Sequence, residues 1–185
     1  MKSSLLFSKF IRFTLVVVIC MSCGEDSAPE EMEDDREGIN ILQLNFETPN
    51  EEPIVLRFED LDGAGGNDPI IQSPALLPLT QYFVTAEVFR GTTDLTTEIS
   101  EESSIHQYFY AANVVDLVVT YGDRDGNGFP LGAFVAIRTG DVGQGSLAVS
   151  LMHRTDKDGE GVSEGNLFNA GGKTDIQVTF PIVIE

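Results

Sequence analysis

Tryptophan is absent from these 185 residues, and only two cysteines occur, both within the first 23 positions. Basic residues are scarce too: 11 Lys and Arg stand against 30 Asp and Glu, a formal net charge of −19. Each shortage excludes something. Beyond residue 23 there is no thiol to form a disulfide, ligate a metal as thiolate or act as a nucleophile, so any fold there rests on a hydrophobic core. A field of strongly negative sign repels nucleic acid and anionic lipid surfaces, which makes cations and basic groups the natural counterparts. No P-loop, dinucleotide-binding glycine fingerprint or H-E-x-x-H motif is present. The single G-x-S-x-G, Gly161-Val162-Ser163-Glu164-Gly165, follows a polar stretch rather than a strand. It therefore lacks the strand-to-helix turn that exposes a nucleophilic serine. No catalytic residue is expected, and the chain reads as non-enzymatic.

The amino terminus has the parts of an export signal. Lys2, Lys9 and Arg12 precede an apolar run from Phe13 to Cys20 that is too short to cross a bilayer as a permanent helix. Ser22-Cys23 follows and resembles a lipobox, with Cys23 the lipidation site and residues 1–22 the signal peptide. Cutting there removes three basic residues and no acidic one, taking the formal charge from −19 to −22. Residues 23–38 then form a lipidated cysteine and an acidic linker. Its sequence after Cys23, GEDSAPEEMEDDREG, cannot bury apolar area and repels itself into an extended tether. An acidic stretch directly after the lipidated cysteine resembles the signal that sends Bacteroidetes lipoproteins to the cell surface. Within it, Asp26-Ser27-Ala28 resembles an O-glycosylation acceptor of that phylum. The expected location is the outer membrane, surface-exposed, with the membrane as partner through the lipid.

From residue 39 onward apolar residues alternate with polar ones, the period of half-buried strands. Runs expected as strands begin with Ile39 to Phe46, Ile54 to Phe58 and Tyr82 to Val88. His106 to Tyr110, Val114 to Tyr121, Gly132 to Arg138, Leu147 to Leu151 and Ile176 to Phe180 complete the set. Only Asp94 to Ser104 suits a short helix. Asp-Gly and Gly-Gly pairs separate the runs at turn spacing. The expectation is one all-β domain over residues 39–185, an antiparallel immunoglobulin-like sandwich of about 7–8 strands.

The run RFEDLDGAGGNDP, the segment Glu101-Glu102-Ser103-Ser104-Ile105-His106-Gln107-Tyr108-Phe109-Tyr110, the stretch LMHR and the ending GVSEGNLFNAGGKTDIQVTFPIVIE resemble a group of small acidic lipoproteins from flavobacteria, within the Bacteroidetes. The resemblance spans nearly the whole of the chain after the linker. It carries no activity with it. Some of these proteins bear the label "type 1 periplasmic binding fold", a fold of two α/β lobes for which this chain has neither the length nor the helices.

Three constellations bear chemistry. Asp123-Arg124-Asp125-Gly126-Asn127-Gly128 has the alternating oxygen spacing that opens a calcium loop, making Asp123, Asp125 and Asn127 candidate ligands for a calcium cofactor. The twelfth position is Phe134 instead of the usual glutamate, and the same residues are those that tight hairpin turns require. His106 and His153 form the second. His153 shares the phase of Leu147, Val149 and Leu151, so it points inward or sits at the rim. Two neutral imidazoles bind Zn²⁺, Cu²⁺ or a haem iron, although a structural zinc site has four ligands and satisfied strand-end histidines are the simpler reading. The third is aromatic: Tyr108, Phe109 and Tyr110, with Phe83 and Phe89, stack on a sugar where they face out and fill the core where they do not. Together these features point to a lipid-anchored cell-envelope module for binding or adhesion, partnered by an envelope protein or a glycan. A structural accessory subunit of an envelope complex is the alternative, and a hydrolase the third.

Overall fold

A computed structural model describes residues 38–185, apart from 64 and 114. Residues 1–37, with Cys23, the signal segment and the linker, lie outside the described residues, as does Val114 at the start of one expected strand.

The domain is all-β and antiparallel, two sheets packed face to face as a sandwich. In chain order the strands are β1 (Ile41–Glu47), β2 (Ile54–Glu59), β3 (Ile70–Gln72), β4 (Gln81–Arg90), β5 (Thr93–Asp94), β6 (His106–Asn113), β7 (Leu117–Tyr121), β8 (Phe134–Thr139), β9 (Gly143–His153) and β10 (Lys173–Ile184). Among the described residues one α-helix, α1 (Thr96–Glu101), lies inside the span expected for it, and one 3₁₀ turn covers Leu167–Asn169. The larger sheet runs β3-β2-β1-β4-β8-β7, with β5 against β4; the smaller runs β10-β9-β6. Eight strands hold five or more residues, each matching an expected run; β3 and β5 are extra.

Period-two alternation turns one side of each sheet inward. Leu42, Leu44 and Phe46 of β1, Tyr82, Val84, Ala86 and Val88 of β4, and Val135 and Ile137 of β8 meet residues of the smaller sheet. Those are Tyr108, then Leu147, Val149 and Leu151, then Ile176, Val178, Phe180, Ile182 and Ile184. All are buried in one continuous core.

The smaller sheet is covered on its other side as well. The connection from β9 to β10, residues 154–172, folds back so that Val162 and Ala170 pack on Phe109 and Met152 in a second buried cluster. Gln107, also pointing to that side, donates its amide to the Val162 carbonyl at 2.8 Å. The G-x-S-x-G segment belongs to this covering loop, and the Ser163 hydroxyl donates to the Lys157 carbonyl at 3.2 Å.

Candidate functional site

β6 and β9 pair so that His106 stands directly opposite His153. Both imidazoles lie on the inner face at one end of the smaller sheet, stacked with centroids 4.7 Å apart and planes 21° from parallel. The inward phase expected of His153 is the one it adopts: it lines up with Leu147, Val149 and Leu151, all buried.

A third group comes from β10. Strict alternation from Ile176, Val178 and Phe180 would send Asp175 to the opposite face. The pairing of β10 with β9 slips between Thr174 and Ile176, leaving Asp175 as the extra residue of a β-bulge. Such bulges re-aim a side chain, and here the carboxylate turns toward the histidines. Asp175 Oδ2 lies 3.5 Å from His106 Nε2, and Oδ1 lies 3.9 Å from His153 Nδ1. One ligating atom from each of the three side chains falls within 4.8 Å of the other two, so every strand of the smaller sheet contributes one.

The hydrogen bonding within this cluster is incomplete. His106 Nδ1 is 3.1 Å from the carbonyl of Glu102, just past α1. A carbonyl only accepts, so Nδ1 carries the proton and, in the neutral ring, Nε2 is the bare nitrogen. That nitrogen faces Asp175 Oδ2, another acceptor. Both atoms are buried and neither has a hydrogen-bond partner. An unsatisfied buried polar group costs about 1–3 kcal/mol; a second ring proton or a cation between the two atoms would remove the deficit. Tyr108, two residues along the same face, has its phenol pushed up in pKa by burial, and further by the negative charge of Asp175.

In the acidic loop between β7 and β8 the carboxylates accept from donors of the chain itself. Asp123 accepts from the backbone N–H of Gly132 at 2.7 Å and of Phe134 at 2.9 Å, one on each carboxylate oxygen. Asp125 Oδ1 accepts from Asn127 N at 2.9 Å and Phe129 N at 3.0 Å. Its Oδ2 meets the ammonium of Lys157 at 3.0 Å. All four carboxylate oxygens thus already accept from protein donors, while Asn127 is exposed. Of the residues expected as calcium ligands, Asp123 and Asp125 are thus engaged by the chain's own donors, and Asn127 stands at the surface. The cation against Asp125 is Lys157 of the β9–β10 connection, only 5% exposed, which also donates to the carbonyls of Ser103 at 2.6 Å and Pro130 at 2.8 Å. Burial pushes the Asp125 carboxyl up, but the hydrogen bond from Lys157, the two backbone N–H groups and the ammonium charge outweigh it and hold the carboxyl below its usual value. Burial lowers the Lys157 ammonium, with Asp125 opposing the shift.

The aromatic candidates divide. Tyr108 and Phe109 are buried, on opposite faces of β6. Tyr110 packs against the core and donates its hydroxyl to the Gly132 carbonyl at 2.7 Å. Phe89 lies under the Arg57 guanidinium, 5.7 Å from the ring centroid. Phe83 shares that outer side of the larger sheet with Phe89 but is left 48% exposed. Phe134, which sequence reasoning placed in a calcium-loop count and not among the aromatics, lies beside it. Its ring stacks on Phe83 at 6.1 Å, 8° from parallel, and is 37% exposed. Exposed Thr85, Val118, Thr120 and Arg138 surround the pair on the same face.

An open cleft of about 450 Å³ lies between Ile39, Phe58, Asp60 and Asp62 on one side and Ile176 and Gln177 on the other. Asp60 and Asp62 are committed to their own turn: Asp60 accepts from Gly63 N and Asp62 from Asn67 N. The bonds from Asn67 hold the Asp62 carboxyl below its ordinary value. Comparison with family models, with curated proteins and with solved structures finds no match to this chain.

Proposed function

We propose that the chain is a lipid-anchored binding module of the outer cell envelope, displayed at the surface. In this reading it grips a polysaccharide with the outer face of its larger sheet. The observation that carries it is the parallel, stacked Phe83–Phe134 pair. On the solvent side of a sheet in so acidic a protein, outward positions are expected to be polar, and two parallel phenyl rings form a platform for the apolar face of a sugar. The hydroxyls of Thr85 and Thr120 and the guanidinium of Arg138 flank that platform as donors for ring oxygens and hydroxyls. The patch is also small. A stable protein interface covers about 800 Å² on each partner, whereas two rings and one valine match one or two sugar units. Cys23 and the acidic linker supply the anchor and tether, and the reading is one of binding, not catalysis.

Affinity electrophoresis through gels containing envelope and plant polysaccharides tests it, with Phe83→Ala and Phe134→Ala as variants. Retardation by at least one polysaccharide, weakened about tenfold or more in each variant, is expected. Equal retardation of wild type and variants, or none with any glycan, would sink the proposal. Co-purification of one fixed envelope protein, lost in both variants, would assign the face to an accessory-subunit role instead.

A further inference from the structure

We propose that His106, His153 and Asp175 bind one divalent transition-metal ion of the zinc class. The ion would lie between His106 Nε2 and Asp175 Oδ2, with the His153 ring completing three protein ligands and water in the remaining position.

Four independent features converge on this assignment. The first is the pair of orphaned buried acceptors, His106 Nε2 and Asp175 Oδ2, facing one another at 3.5 Å. Two ligands of one tetrahedral zinc, with bonds of about 2.0–2.1 Å, stand roughly 3.3 Å apart, so this pair already has the spacing of a shared ion. Second, the His106 Nδ1–H group donates to the Glu102 carbonyl. A metal-bound imidazole is typically held this way, its other nitrogen tied to a carbonyl or carboxylate so that the ligating nitrogen stays bare and correctly aimed. Third, the β-bulge at Asp175 turns toward the histidines a carboxylate that regular pairing would send to the other side of the sheet; a carboxylate buried in an apolar core needs a counter-charge or hydrogen bonds to offset its lost hydration. Fourth, the donor chemistry is selective. Two imidazoles and one carboxylate suit zinc, copper, cobalt or nickel, while calcium and magnesium prefer oxygen alone. The side chains are almost fully buried, at 0% for His106, 5% for His153 and 4% for Asp175. The ion would therefore staple β6, β9 and β10 together at one end of the smaller sheet. This inference does not depend on the polysaccharide face, which lies on the other sheet.

Cobalt(II) is the probe, because its visible absorption reports coordination number. The purified protein, in the form its cells accumulate, is stripped with chelator and titrated in excess Mg²⁺, which saturates the acidic surface. One Co²⁺ per chain is expected, with the intense visible bands of a four- or five-coordinate site, displaced by Zn²⁺ and not by Ca²⁺. His153→Gln and Asp175→Asn should weaken binding by more than the roughly 10–100-fold that losing a supporting hydrogen bond costs. Glu51→Gln, at an exposed turn, should bind as wild type does. Absence of a stoichiometric site, or equal uptake by all variants, would overturn the assignment. Should His153→Gln or Asp175→Asn fail to fold, ¹⁵N shifts of the imidazoles in the unaltered protein answer the same question. Zinc must move the His106 Nε2 resonance, and a resonance unchanged by zinc would refute the site.

Discussion

Replacing Lys157 by methionine keeps the aliphatic stem and removes the ammonium alone. That ammonium makes three hydrogen bonds, to Ser103 O, Pro130 O and Asp125 Oδ2. Each bond to a charged group is worth about 1.5–3 kcal/mol, but the ammonium also loses several kcal/mol of hydration on burial, so the sum overstates the effect. Deleting one partner of a buried ion pair costs about 3–5 kcal/mol, because the other charge is left without compensation. For a domain of this size each kcal/mol moves the Tm by about 2–4 °C, giving a fall of roughly 6–20 °C. Urea unfolding of wild type, Lys157→Met, Asp125→Asn and the double variant measures it. The double variant should lose less than the two single losses added together, by about 1–3 kcal/mol of coupling. The pH dependence has a definite sign. The folded Asp125 carboxyl is held below its ordinary value, so its contribution is complete above the unfolded carboxylate range and is lost as pH falls below about 4. Asp125→Asn should lack that part of the acid profile. Millimolar Ca²⁺ should protect wild type no better than Mg²⁺. A loss below about 1 kcal/mol in Lys157→Met, strictly additive variants, or a calcium-specific rise in Tm would refute the reasoning.

Two further outcomes are expected. Cys23→Ala should vanish from the detergent phase of a membrane extraction and keep its signal segment; continued partitioning with membranes would refute the anchor. Gly132 has φ +82°, and a Cβ there would meet the Tyr108 carbonyl oxygen at 2.8 Å. Gly132→Ala should therefore cost about 2–4 kcal/mol in chemical denaturation, from backbone strain and overpacking. Gly126→Ala, where a Cβ meets nothing within 4 Å, should cost little, and equal losses would refute the argument.

Local alternation carried much of the fold into view. Leu42, Leu44 and Phe46, or Tyr82, Val84, Ala86 and Val88, announce their strands because one face of each is buried. β3 escaped because Ile70, Ile71 and Gln72 are all exposed, leaving no alternation to read. The inward phase of His153 was readable in the same way, but its partner was not. β6 pairs with β9 across two intervening strands that belong to the other sheet, and no local pattern encodes that choice. Asp175 was hidden by the bulge, since the period-two rule assigns it to the wrong face. Lys157 was hidden by composition: within Asp156-Lys157-Asp158-Gly159-Glu160 it reads as a solvated charge, and only the three-dimensional meeting of three loops buries it. Of the residues with calcium spacing, Asp125 alone meets a cation from the chain itself, the Lys157 ammonium, while Asp123 accepts from backbone N–H groups.

The register of β1 gives the domain a direction. The chain enters at Gly38 and Ile41, while Phe83 pairs with Glu47 at the other end of the same strand. Six residues at about 3.4 Å each separate these points by roughly 20 Å. On the proposed reading, in which the anchor precedes β1, the phenyl platform therefore stands at the end of that strand opposite the one where the chain enters, and a polymer would be met at the far end of the domain.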